Sequence, residues 1–348
     1  MADQQAVGGA LPPHPSLSPS GGEDKGEGGR PDLSVVIVSY NVQRYLAACL
    51  ESLPAGCDGL SLEVFVVDNA SPDGSAELVP RRFPDVRLLV NAENLGFARA
   101  VNRALALTRG RYALLLDPDT VVPGGALTQL VKVADRSPEA GLVGPALHHP
   151  ATGELQASFR PFPSWRTAFS QYTLAKPILR LWPSPRWQPV VDRPTTDGWL
   201  IGACLLIRRD LLSAIDGLDE QYFLFCEDTD YCRRVIRAKR RLLYTHETSV
   251  LHHEGKSAEQ ERPSAMRLVA LQSLLHYLEG EGRGKARVLK PLFKILFLAN
   301  ALSQCVESAV KLAAYALVAR REQAAKHRRR LARNADFLRR FTLAFLRL

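Results

Sequence analysis

Tyr112-Ala113-Leu114-Leu115-Leu116-Asp117-Pro118-Asp119 is the stretch on which the fold turns. Its five apolar residues leave no polar face, the pattern of a strand covered on both sides as in a parallel sheet. The run stops in a tight turn carrying two carboxylates. Upstream, Leu33-Ser34-Val35-Val36-Ile37-Val38-Ser39-Tyr40 and Leu62-Glu63-Val64-Phe65-Val66-Val67-Asp68 repeat the pattern, with a further strand at 86–90. Helical stretches at 42–53, just after 75, and at 97–108 separate these strands. The alternation predicts an α/β domain built on a mostly parallel sheet with helices on both faces. Ligands of such sheets bind beyond the carboxyl ends of the strands. Three strands end there in polar groups: Ser39-Tyr40-Asn41, Asp68-Asn69 and Asp117-Pro118-Asp119. Any one of them also serves as a turn former or helix cap; the three together point to a shared site.

Downstream lies an irregular Pro- and Trp-rich region, 159–194, with Trp165, Trp182 and Trp187. A strand at 199–207 follows, then Tyr222-Phe223-Leu224-Phe225-Cys226-Glu227-Asp228-Thr229-Asp230. A helix is expected to start near Asp228 and carry Arg233 and Arg234. A last strand, 242–251, runs into His252-His253-Glu254-Gly255-Lys256-Ser257.

Composition narrows the class. The 348 residues are 46% hydrophobic and 23% charged, which excludes a wholly disordered chain. The longest charge-free apolar run, 295–306, has 12 residues, too short for the roughly 20 of a spanning helix, so a multi-span membrane protein is excluded. Six cysteines without a C-x-x-C read as reduced thiols of a cytosolic protein. The net charge is +9, and residues 320–348 hold ten Lys/Arg against two acids, so the main body is near neutral and gives no footing for nucleic acid. Residues 1–31, rich in Gly, Pro and Ser, read as a disordered leader, 32–260 as the α/β domain and 261–348 as a helical, basic extension.

Asp117-x-Asp119 offers oxygen ligands to a hard divalent cation, which commonly holds phosphates as well. The cluster Glu227-Asp228-x-Asp230 follows aromatic residues that lower the local dielectric, so a carboxylate there acts as general base or caps the helix. His252, at a strand end, is a further metal or diphosphate contact or a structural histidine.

In this order the motifs resemble family 2 glycosyltransferases of the GT-A fold, particularly their rhamnosyltransferase-like branch. The matching pieces are Val35 to Asn41, Val67 to Ser75, Asn94-Leu95-Gly96-Phe97 with Asn102, Asp117-Pro118-Asp119, Gly202 to Arg209, Phe223 to Asp230, and His252-x-x-Gly255-x-Ser257, over roughly two thirds of the chain. The resemblance implies that Ser39, Asn41 and Asp68 line a nucleotide pocket joined by Asn94, Gly96 and Asp117. It implies that Asp119, Asp117 and His252 hold Mg2+ or Mn2+ on a sugar-nucleotide diphosphate, that Asp228 is the base with Glu227 its rival, and that Trp199, Gly202 and Ala203 face the acceptor. Residues 153–163 and Asp197-Gly198-Trp199 look like the rhamnosyltransferase branch, implying a donor such as dTDP-rhamnose, single displacement with inversion, and a lipid-linked or glycan acceptor. The rivals are a nucleotidyltransferase, although Ser39-Tyr40-Asn41-Val42-Gln43-Arg44 has no glycine for a phosphate loop, and a non-catalytic basic adaptor for membrane or nucleic acid.

Between 291 and 319 only Lys294, Glu307 and Lys311 are charged. On a helix, Asn300, Ser303, Gln304, Glu307, Ser308 and Lys311 oppose Leu298, Leu302, Val306, Val310, Ala313 and Leu317, with Leu296 and Phe297 breaking the pattern. With the Arg-rich stretch that follows, this reads as a helix lying in the interface of a membrane, which places the protein peripherally on the inner face of the cell membrane. The alternative is a helix packed on the catalytic domain with a solvated basic end.

Overall fold

A computed structural model describes residues 29–175, 178–179, 188–253, 263–317 and 321–348. The leader up to residue 28, Trp182, Trp187, Gly255, Ser257 and Arg320 lie outside the described residues.

Strands β1 (Leu33–Ser39), β2 (Leu62–Asp68), β3 (Arg87–Val90) and β4 (Tyr112–Leu116) are parallel neighbours in the order β3-β2-β1-β4. They alternate with α1 (Gln43–Gly56), α2 (Ser75–Arg82) and α3 (Phe97–Leu105). The sheet continues as β9 (Cys204–Arg208), β6 (Ala140–His148), β10 (Arg241–His252) and β5 (Thr120–Val121). β9 runs antiparallel to both of its neighbours, β6 and β10 are parallel, and β5 closes the edge antiparallel to β10. The remaining elements are α4 (Ala126–Arg136), β7 (Phe159–Arg160), α5 (Trp165–Tyr172), β8 (Trp199–Leu200), α6 (Arg209–Ile215), α7 (Glu227–Arg237), α8 (Pro263–Gly280), α9 (Arg283–Leu317) and α10 (Arg321–Arg347).

The apolar runs are buried on both sides because each sheet face is covered. Val35, Ile37 and Leu114 face α1 and α4 through Leu46, Leu50 and Leu130, whereas Val36, Val38 and Leu115 face α3 and α7 through Val101, Ala104 and Val235. The strand expected over 199–207 is two: β8 stops at Leu200 and β9 starts at Cys204. The break falls at Gly202, where the backbone leaves the ladder to serve the site. All six cysteines are free thiols.

The helical extension does not stand apart. Phe169 of α5, Tyr222, Leu275 and Leu278 of α8, Phe293 and Phe297 of α9, and Phe337 and Phe345 of α10 form a third apolar core. Helix α9 packs in the reverse of the ordinary amphipathic sense. Its inner face carries Phe293, Phe297 and Ala301, then polar groups: Asn300 donates to the Tyr172 carbonyl (3.0 Å), Gln304 accepts from Asn334 (3.1 Å), and Ser308 is buried. Its outer face carries Val288, Leu292, Ile295, Leu302, Val306 and Val310, each 45–68% exposed. Leu298, expected among the outward apolar residues, is half-buried.

One close approach binds the two halves of the sheet. Gly96 has φ +82°, and a Cβ there would stand 2.4 Å from the Phe223 carbonyl oxygen, which accepts the Phe97 amide at 2.7 Å. Gly96→Ala therefore combines backbone strain with a clash. The expected loss is about 1–3 kcal/mol in urea unfolding; an unchanged midpoint would show that the segment before α7 is not held there.

Candidate active site

The carboxyl ends of β1 and β2 lie side by side, with Ser39 in register with Asp68. Ser39 Oγ and Asp68 Oδ1 are buried and without a hydrogen-bond partner among the described residues, an arrangement that a ligand's polar groups complete. Asp68 Oδ2 accepts the Ser71 amide (3.0 Å), and the Asn41 amide donates to Ser71 Oγ (3.1 Å) with Asn41 at φ +57°. These three expected pocket residues are thus brought together. Asn94 and Gly96 are placed differently. Asn94 Oδ1 accepts from the Gly96 amide and from Asn69 Nδ2, both at 2.9 Å, so Asn94 shapes the loop while Gly96 provides the close approach to Phe223.

Asp119 and His252 meet because β5 pairs with β10, Thr120 opposite His252, and the His253 amide donates to the Asp119 carbonyl (3.0 Å). His252 Nε2 is 3.4 Å from Asp119 Oδ1 and 3.8 Å from Asp117 Oδ2. Two carboxylates and an imidazole within 4.8 Å of one another form a set suited to a divalent cation. Gln156, which sequence reading did not single out, orients the histidine. Its amide nitrogen donates to the His252 carbonyl (2.8 Å), leaving its oxygen 2.9 Å from His252 Nδ1. Nδ1 must then carry a proton, which leaves Nε2 as the ring nitrogen turned toward the carboxylates and the one that would ligate a metal. The only signal for Gln156 was its place in the 153–163 segment.

Glu227 and Asp228 open α7 after two non-glycine residues in the left-handed region, Phe225 (φ 70°) and Cys226 (φ 64°). Asp228 Oδ2 accepts the Gly202 amide (2.9 Å) and Oδ1 accepts the Thr229 amide (2.6 Å). Next along the chain, the Ala203 carbonyl accepts the Asp117 amide (2.9 Å). Gly202 and Ala203, expected toward the acceptor, are therefore the backbone link between the two acidic clusters. A Cβ at Gly202 would lie 3.4 Å from Asp228 Cβ, in ordinary van der Waals contact with the acid that its amide holds. Trp199 is tied by its indole N–H to the Pro161 carbonyl (3.1 Å). Of the aromatic residues before Glu227, Tyr222 is buried, but Phe223 and Phe225 are exposed and do not form the dielectric wall expected of them.

The charges of the two clusters act on each other. Burial first, then Asp119, raises Asp117 to about 7, with His252 acting against the shift and Asp228 adding to it. Burial first, then Asp228, holds Glu227 well above the ordinary carboxylate range. Burial also raises Asp228, but amide donation from Gly202 and Thr229 favours its ionised form.

The sequence profile described as Glycosyl transferase family 2 matches residues 34–215, more than half of the chain. The chain belongs to this family. The glycosyltransferase is 31% identical over 251 residues to the N-acetylglucosaminyl-diphospho-decaprenol L-rhamnosyltransferase of Mycobacterium tuberculosis, covering 67% of this chain and 79% of that one. It is 24% identical over 233 residues to the rhamnosyltransferase WbbL of Escherichia coli K12, covering 64% and 85%. A solved mannosyltransferase of Pyrobaculum calidifontis, in complex with GDP-Man and Mn2+, superposes with a TM-score of 0.50 at 20% identity, over 89% of this chain and 85% of that one. The fold is GT-A, as the motifs implied.

The four carboxylates of this glycosyltransferase would repel an anionic donor, and the Asp117, Asp119 and His252 set fits the divalent cation that removes the conflict. Replacing Gln156 with leucine frees the imidazole to rotate. Mn2+ affinity, read by electron paramagnetic resonance titration, is expected to fall about 10–100-fold; equal affinity would mean that Gln156 does not set the histidine.

Proposed function

We propose that the enzyme moves rhamnose from a nucleotide-diphosphate donor such as dTDP-rhamnose to a lipid-linked acceptor in cell-surface glycan synthesis, with inversion. The observation that carries this reading is the pair of adjacent peptide groups at Gly202 and Ala203. Through them Asp228 and the Asp117–Asp119 turn are both tied to one short backbone segment, which supports a shared site. Ser39, Asn41 and Asp68 take the nucleoside, and Asp117, Asp119 and His252 hold Mg2+ or Mn2+. When bound, the cation neutralises charge that develops on the leaving diphosphate. The two rhamnosyltransferase relatives favour the sugar, and one relative's named substrate favours a lipid-diphosphate acceptor.

Asp228 takes the proton of the attacking hydroxyl. Its carboxylate is held ready by two amides, whereas Glu227 Oε2 has no hydrogen-bond partner among the described residues, and burial and its neighbour disfavour its charged form. In a turnover screen over nucleotide sugars, Asp228→Asn is expected to lower kcat about 10²–10⁴-fold, with Glu227→Gln losing far less. The opposite order would transfer the role to Glu227.

The outer stripe of α9 supports attachment to the cytoplasmic membrane surface. By length and composition, Arg283–Tyr315 could also cross a bilayer. Its inner face, however, is engaged by α5, α8 and α10, so lying flat is the arrangement that keeps those contacts. From Val288 to Val310 the stripe runs about 33 Å along the helix. Beside it, α10 carries nine Lys/Arg against Glu322 and Asp336, matching anionic lipid. On the full chain, Leu302→Glu with Val306→Glu is expected to cut co-sedimentation with phosphatidylglycerol vesicles about tenfold or more. Undiminished binding, with unchanged circular dichroism, would remove the stripe from the membrane contact.

A further inference from the structure

Beside the catalytic segment is a second cavity, of about 460 Å3, where α5, α8, α9 and α10 converge. Phe225 forms one wall, and Gln171, Asn300 and Gln304 add polar groups. Two guanidinium groups, Arg267 of α8 and Arg333 of α10, line the same space, and none of its described lining residues is acidic. Arg267 stacks over Phe297 and Phe337 (4.6 and 5.3 Å) and donates to Asn334 (2.7 Å), which leaves most of its five N–H groups unspent. Arg333 is exposed and has no ion pair or hydrogen bond among the described residues. Burial, and then the charge of Arg333, lower the pKa of Arg267, so the two cations sit together at a cost that an anion would relieve.

The contrast with the other large cavity is informative. The space of about 550 Å3 between α7, α8 and α9 also holds arginines, but they meet acids: Arg233 pairs with Glu281 and Lys290 with Glu279. Its lining sets four acids, Asp219, Asp230, Glu279 and Glu281, against five Lys/Arg. The described lining of the Arg267–Arg333 cavity has no acid at all, although α10 has one in Asp336, one turn from Arg333, which pairs instead with Arg340 and Ser264.

The position suits an acceptor. Phe225 is three residues before Asp228, so at most about 10 Å of extended chain separates the cavity wall from the base. That is the scale of one sugar with its linkage. Planar guanidinium groups match phosphate oxygens by paired hydrogen bonds. We infer that the Arg267–Arg333 cavity binds a diphosphate group, and specifically the one joining the acceptor sugar to its lipid. The second half of that inference rests on the lipid-linked acceptor proposed above. A diphosphate held here puts its sugar toward Asp228 and leaves its lipid to leave the protein alongside the outward stripe of α9.

Two measurements on the full chain test the site and its source separately. The first is calorimetric titration with inorganic pyrophosphate in EDTA, where the cation-dependent donor site is silent. Binding is expected in the wild type and in Asp119→Asn, and about tenfold weaker in Arg333→Gln. Arg333 is the primary variant because Arg267 packs on two core aromatic rings; Arg267→Lys, which keeps the charge but not the fork, is the second and should lie between. No cation-free binding by the wild type, or equal binding by Arg333→Gln, overturns the anion site. The second compares acceptors bearing the same sugar on a short prenyl diphosphate or on an uncharged alkyl chain. Arg333→Gln is expected to raise KM about tenfold for the diphosphate acceptor alone. An equal rise for both overturns the acceptor assignment. If pyrophosphate binding depends on Arg333 but no diphosphate acceptor is ever used, the anion site stands and the lipid-linked reading falls.

Discussion

Four carboxylates from two stretches of chain are drawn together, and their mutual repulsion decides what the rest of the fold must supply. Asp117 and Asp119 come from the turn after β4, and Glu227 and Asp228 from the start of α7. Left in water, such groups would separate. They are held by backbone: the Gly202 amide to Asp228 on one side, and the Ala203 carbonyl to the Asp117 amide on the other. A peptide group adds partial charge in a fixed direction without a side chain that could swing away. The Gly202 amide is available for this because the chain crosses there from the β7–β8 pair to the main sheet, while the Ala203 carbonyl continues the β4–β9 register onto Asp117.

The same demand reaches into the extension. The segment 217–226 that delivers Asp228 is gripped from both directions. Asn102 of α3 donates to the Leu218 carbonyl and accepts the Leu218 amide, each at 2.8 Å, and Gly96 meets Phe223. From the far side, Ser273 of α8 donates to the Leu224 carbonyl (2.8 Å) and His276 packs on Tyr222. The strained pair Phe225 and Cys226 persists because both sides fix it. Helix α8 therefore helps to hold the segment that carries Asp228.

What the sequence made legible follows from how local each signal is. β1, β2 and β4 were plain because unbroken apolar runs, two of them rich in β-branched residues, are what double-sided burial selects. β6 was not, since Ala140-Gly141-Leu142-Val143-Gly144-Pro145 reads as a loop. Pro145 is tolerated because β9 pairs with β6 only at Leu142 and Val143, so no neighbour on that side needs its missing N–H. The acids of the site were legible as short motifs at strand ends. Gln156 was not, being 96 residues from the histidine it orients. Helical periodicity located the two faces of α9 but could not say which one turns inward. That is decided by Phe293 and Phe297, the second of which had looked like an exception to the pattern.

The outward residues of α9 recur at steps of three, four and seven over six turns, the spacing by which helices zip together in water. Away from lipid, two copies can shield these residues only against each other or against detergent. Particle size in plain buffer would then measure how this protein hides from water, while its working assembly has to be weighed on a bilayer.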